Sequence, residues 1–116
     1  MYFNAANRII VRQNRHFEKM VGVRDDGADG SLAEGEKIIF GVKAAGVGKG
    51  YLIRKELTNE DYDSNAQGFL LVLSDNDTNL RPGVYYYDIA RQRADGELEV
   101  IGEEAEFIVK PSAVLA

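Results

Sequence analysis

The chain has no cysteine and no tryptophan, a single histidine and only two prolines. Without a thiol it can form no disulfide, thiolate nucleophile, cysteinyl zinc site or iron–sulfur cluster, so its stability is predicted to come from packing. His16 is the sole residue around which a Ser-His-Asp triad could be built, and no G-x-S-x-G elbow accompanies it. A solvent-facing strand histidine is the expectation. No apolar run approaches the roughly 20 residues of a membrane helix, and the amino-terminal MYFNAANRIIVRQNR mixes charge with apolar residues, unlike a secretory signal. No membrane span and synthesis in the cytoplasm follow as expectations. An excess of base is lacking as well: the net charge is −5, whereas a phosphate-binding surface needs Lys and Arg that outweigh local acid. Arg8, Arg12 and Arg15 come nearest, but three dispersed arginines read better as a solvated face, so nucleic acid is not an expected partner.

What the chain does have is alternation. At 116 residues, 45% hydrophobic and 28% charged, it suits one soluble domain, residues 1–116 with a core over about 8–110. Period-2 runs recur at short spacing between turn clusters, the pattern of an all-β sandwich or barrel, and helical periodicity is nearly absent. RIIV (8–11) opens the first run. HFEKMVGVR (16–24) aligns Phe17, Val21 and Val23, with Lys19 out of pattern, and EKIIFGVKA (36–44) aligns Ile38, Phe40 and Val42. DDGADG (25–30) and GVGKG (46–50) read as a turn and a hairpin tip. YLIRKEL (51–57) groups Tyr51, Ile53 and Leu57 against Arg54 and Glu56, TNEDYDSNAQ (58–67) reads as a loop, and GFLLVLS (68–74) is a central strand with Phe69, Leu71 and Leu73 inward. VYYYDIARQR (84–93), a two-residue reversal at Asp-Gly and ELEVIGEEAEFIVK (97–110) form a closing hairpin, in which Gly102 marks a bulge. About seven strands result.

The segment DTNLRPGVYYYDI (77–89) raises the question of why three tyrosines follow Pro-Gly. Alternation splits them: Tyr85, Tyr87 and Ile89 share one face, Val84, Tyr86 and Asp88 the other. SDND (74–77) carries an acidic capping pattern that predicts one helical turn. Arg81-Pro82-Gly83 forms a corner, and a tyrosine just after such a corner often returns its hydroxyl to nearby backbone. Tyr85 is the residue for that structural role, with Gly83 and Asp77 completing the corner, and Tyr87 supplies bulk where a disulfide would otherwise anchor a core. Tyr86 faces outward or against a partner.

At these residues the chain resembles the compact β-sandwich at the amino terminus of phage baseplate upper proteins and related small phage tail structural proteins. The family pattern "dT.L..G.Y.YDI", a hairpin and a closing strand ending "F.V" are met by Asp77, Thr78, Leu80, Gly83, Tyr85, Tyr87, Asp88, Ile89, Phe107 and Val109. Upstream, VRDDGADGSLAEGEKIIFGVK matches the family's strand, Asp-Gly turn and strand of the form "F.VK". The resemblance covers most of residues 17–110. It implies an all-β, immunoglobulin-like antiparallel β-sandwich and a non-enzymatic virion structural protein, of phage or prophage. Such a component is made in the bacterial host cytoplasm and assembles with other tail or baseplate proteins or as a homo-oligomer.

Sheet edges and exposed apolar residues would make those contacts: Val84, Tyr86 and, in the tail Ala113-Val114-Leu115, Leu115. No cofactor or metal is expected, because the two D-x-D-x-N stretches, 61–65 and 75–79, lack the glycine and bidentate glutamate of a calcium loop. The alternative is a carbohydrate-binding β-sandwich module stacking sugars on Tyr86, Tyr51 or Tyr62. The absence of tryptophan, the larger stacking surface, counts against it.

Overall fold

The computed structural model describes residues 2–3, 8–24, 32–44, 50–65 and 68–112; the expected Asp-Gly turn at 25–30, residues 46–49 of the expected hairpin tip 46–50, and Leu115 lie outside them. The chain is all-β. Its strands are β1 (Tyr2–Phe3), β2 (Ile9–Arg12), β3 (Phe17–Val21), β4 (Val23–Arg24), β5 (Lys37–Ala44), β6 (Ile53–Leu57), β7 (Tyr62–Asp63), β8 (Gly68–Leu73), β9 (Gly83–Gln92) and β10 (Leu98–Lys110). Seven have four residues or more. A five-stranded sheet runs β2-β10-β9-β5-β6, a three-stranded sheet runs β3-β8-β7, and β1 pairs with β4. No helix among the described residues is long and apolar enough to cross a membrane.

The alternating rows become the core. Ile38, Phe40 and Val42 of β5, Phe69, Leu71 and Leu73 of β8, Tyr87 and Ile89 of β9, and Phe107 and Val109 of β10 are all buried in one cluster fed by both larger sheets. Every second residue on a strand faces the same side, so one buried face demands this spacing. The rings of Phe40 and Tyr87 lie 5.4 Å apart and those of Phe40 and Phe107 6.3 Å apart, filling the centre with aromatic volume in a chain without cystine. Burial holds the Tyr87 phenol above the usual range for tyrosine.

Four expectations need correction. The five-stranded sheet is mixed, not antiparallel throughout: Ile9–Arg12 runs parallel to Phe107–Lys110, because β2 turns into the other sheet at residues 13–16 and so lies beside the end of β10. The β9–β10 hairpin closes on three residues rather than two, with Arg93 N–H donating to the Glu97 carbonyl at 2.8 Å and Gly96 taking a φ of 92°, the left-handed position such loops require. Residues 58–67 are not simply a loop: Asn59–Asp61 form a 3₁₀ turn held by a capping box between Thr58 and Asp61. The helical turn expected at S-D-N-D is present as a single α-type turn, with Thr78 N–H on the Ser74 carbonyl at 3.1 Å. Finally, His16 precedes β3 rather than lying in a strand; it is exposed, with its Nε2 2.7 Å from Glu18. At Gly102 the β9–β10 register does shift on both sides, as a bulge requires.

Candidate interaction surface

The segment before β9 is locked by three devices, each traceable to the sequence D-T-N-L-R-P-G-V-Y. The Asp77 carboxylate accepts from Ser74 N–H at 2.8 Å and from the Ser74 hydroxyl at 3.1 Å, while Asp77 N–H donates to that hydroxyl at 3.2 Å. The Lys55 ammonium stands 2.8 Å from the same carboxylate. Partial burial pushes the Asp77 pKa up, but Lys55 and the Ser74 donors outweigh it and hold the carboxyl below its usual range. Thr78 is fully buried, and its hydroxyl accepts from Arg15 N–H at 2.9 Å and donates to the Arg15 carbonyl at 2.7 Å. That pair of bonds pins the β2–β3 turn, where Asn14 adopts a φ of 58°. The Tyr85 hydroxyl donates to the Arg81 carbonyl at 2.6 Å, so the corner before Gly83 is tied to the strand that follows it.

With the corner fixed, β9 presents Val84, Tyr86, Asp88 and Ala90 on the outer face of the five-stranded sheet. Register then sets their neighbours. Ile108 stands opposite both Ile10 and Val84, forming an apolar row across three strands, and Ile10 and Val84 are 46% and 49% exposed. One step along, Tyr86 is half-buried between Glu106 of β10 and Lys43 of β5. Glu106 is bound to Arg8 at 3.1 Å, and Lys43 to Asp88 at 3.3 Å.

Further along the face, Gly41 leaves a slot that the Tyr51 ring covers, and a Cβ there would overlap the ring. The expected grouping of Tyr51 with Ile53 and Leu57 therefore fails. Ile53 and Leu57 are buried, but Tyr51 lies before β6 on the opposite side of the sheet and is 49% exposed. Arg54 and Glu56 face out as alternation requires; Glu56 is 2.6 Å from Arg54 and 3.0 Å from Lys37, and hydrogen bonds from these two bases lower its pKa. Tyr62 packs its ring on Phe69, centroids 5.1 Å apart, so it lies against the core.

The structure thus brings Val84 and Tyr86 together on one face and places Tyr85, Gly83 and Asp77 at the corner beneath. It also shows a cluster with no counterpart in the sequence reading. Arg91 continues the inward row of Tyr85, Tyr87 and Ile89 and closes the far end of the core: its guanidinium is 3.5 Å from Glu36 and 3.9 Å from Glu99, while Arg93 lies 3.8 Å from Glu36 and 3.4 Å from Glu99. The side chains of Arg91 and Glu36 are each only 9% exposed. The signal was the position of Arg91 in a period-2 row whose other members are all apolar or aromatic. Among the described residues no three of His, Asp or Glu converge as ligands for a metal ion. Comparison of the sequence with family models and with curated proteins finds no match to either.

Proposed function

We propose that this chain is a non-enzymatic structural component of a phage or prophage tail or baseplate, carried in the virion and acting through protein–protein contacts made by the outer face of its five-stranded sheet. The observation that carries the contact surface is the row Ile10–Ile108–Val84, three apolar side chains in direct cross-strand register flanked by the Arg8–Glu106 and Lys43–Asp88 ion pairs. A contiguous exposed apolar row rimmed by charge is the usual form of a protein contact site. The phage assignment rests on the resemblance of DTNLRPGVYYYDI and its closing hairpin to the baseplate upper protein pattern. It is supported by the roles those residues take here: Asp77 caps, Thr78 pins, Tyr85 ties the corner, and Tyr87 fills the core. The arrangement is read as an immunoglobulin-like sandwich, because the split into β2-β10-β9-β5-β6 and β3-β8-β7 follows the two-sheet division of that fold. The test is mass spectrometry of gradient-purified particles from an induced host: the chain is expected at a stoichiometry comparable to other tail components, and its absence from particles would refute the assignment.

One observation favours a second reading, a carbohydrate-binding module. The half-exposed Tyr51 ring covers Gly41 beside Arg54 and Asp88, an aromatic surface with polar groups at its edge. A glycan array separates the two, since only the module would give a signal that Tyr51→Ala abolishes.

A further inference from the structure

The surface charge is sorted along the strand direction. β9 connects the two ends and, at ten residues, spans ~33 Å of a molecule 46 Å long. At the end where β9 begins, Arg12, Arg15, Arg81 and Lys110 are all exposed. They are gathered by the Arg12–Lys110 register and by the bonds of Gln13 and Asn14 to Lys110 and Thr78. None of the four is in an ion pair among the described residues. The acids beside them are mostly engaged, Asp77 with Lys55 and Glu106 with Arg8, leaving Asp75 as the exposed exception.

At the other end the signs reverse. Glu34, Glu60, Asp95 and Glu97 are exposed and outside any ion pair among the described residues. They are drawn together because Leu32 and Asn59 exchange two hydrogen bonds, at 3.0 and 2.8 Å, and because Gly35 packs on Ala94 of the β9–β10 loop. The bases there are occupied: Arg93 with Glu36 and Glu99, Lys37 with Glu56. A solvent-open cleft of about 440 Å³ lies between residues 33–37 and 58–60. Each end also carries apolar surface, Ile10 and Val84 beside the cations and Leu98, 59% exposed, beside the acids.

We propose that the partner of this surface is a second copy of the chain, docked head to tail, with the basic end of one copy on the acidic end of the next and Leu98 against the Ile10–Val84 row. This rests on the assembly reading above and names its partner. Two different patches meet in such a contact, so it repeats and yields a ring or a filament instead of stopping at a two-fold dimer. Complementary charge at the two ends favours this orientation and disfavours end-to-same-end pairing, in which four like charges would face each other.

The experiment is sedimentation velocity of the full chain over a concentration series at ~50 mM and ~500 mM salt, where the Debye length falls to a third of its value. The apparent dissociation constant is expected to rise by at least about tenfold at the higher salt. Arg12→Glu/Arg81→Glu and Glu34→Lys/Glu97→Lys, all at exposed positions, should each be monomeric alone, because one end of each is neutralised, and an equimolar mixture should pair one to one through the intact acidic end of the first and the intact basic end of the second. A monomeric wild type at every concentration and salt, or a double variant that associates as wild type does, would overturn the proposal. Such a failure leaves the particle assignment standing if the chain is found in virions, whereas absence from virions with intact self-association sinks that assignment alone.

Discussion

Replacing Thr78 with valine keeps the shape of a fully buried side chain and deletes its hydroxyl, which isolates the pin between the 74–80 loop and the β2–β3 turn. Two hydrogen bonds to Arg15, at 2.9 and 2.7 Å, disappear, each contributing about 1 kcal/mol net. The Arg15 N–H and carbonyl are only partly buried, so solvent recovers some of their loss and adds a fraction of a further kcal/mol. The expected cost is ~2–3 kcal/mol, a drop in Tm of ~10 °C for a domain of this size. Urea titration followed by circular dichroism should show the midpoint falling with an unchanged slope. Thr78→Ser, which keeps the hydroxyl and loses one methyl, should cost about 1 kcal/mol. If Thr78→Val lies within ~0.5 kcal/mol of wild type, or if the serine variant is the worse of the two, the hydroxyl is not what holds the two loops together.

Tyr85→Phe removes the 2.6 Å bond to the Arg81 carbonyl while leaving the ring in place, and should lower stability by about 1 kcal/mol in the same titration. The Asp77 carboxyl has a folded pKa below its unfolded one, so its contribution is complete above the ordinary carboxylate range and is lost as pH falls through and below ~4; Asp77→Asn should flatten the acid limb of a stability-against-pH curve, and an unaltered limb would refute the pairing. Gly41→Ala should expel the Tyr51 ring from its slot, raising tyrosine reactivity toward nitration, yet shift stability by under ~1 kcal/mol because the ring is half-exposed and free to swing away. Arg91→Ala leaves Glu36 buried beside a lost partner and should cost ~3 kcal/mol, whereas Arg91→Met with Glu36→Gln should recover much of that in thermal unfolding.

The inward rows were legible because a strand with one buried face must alternate, and Ile38, Phe40, Val42, Phe69, Leu71 and Leu73 obey that without exception. The corner was legible for a similar reason: Asp, Pro, Gly and Tyr each carry a local conformational preference that holds before any tertiary contact forms. What escaped depends on distant partners. Arg91 sits at an inward position only because Glu36, 55 residues earlier, and Glu99 meet it there. Tyr51 leaves its expected row because Gly41 on the neighbouring strand offers a slot, and no period within YLIRKEL records that. The capping box of T-N-E-D was written as plainly as that of S-D-N-D, but it lies in a polar run with no apolar period to mark an element. The parallel run of β2 beside β10 joins residues 98 apart, which local patterning does not report.

That pairing of one of the earliest strands with the last has a consequence for how the structure is reached. β10 seats β2 on one edge and β9 on the other, so β2 stays apart from the rest of the five-stranded sheet until the thirteen residues of β10 are in hand. Loop closure over nearly the whole chain must be met before the pairing rewards it. A ribosome-bound nascent chain short of residue 110 would hold Ile9 and Val11 without a lid, and folding is expected to wait for synthesis rather than accompany it.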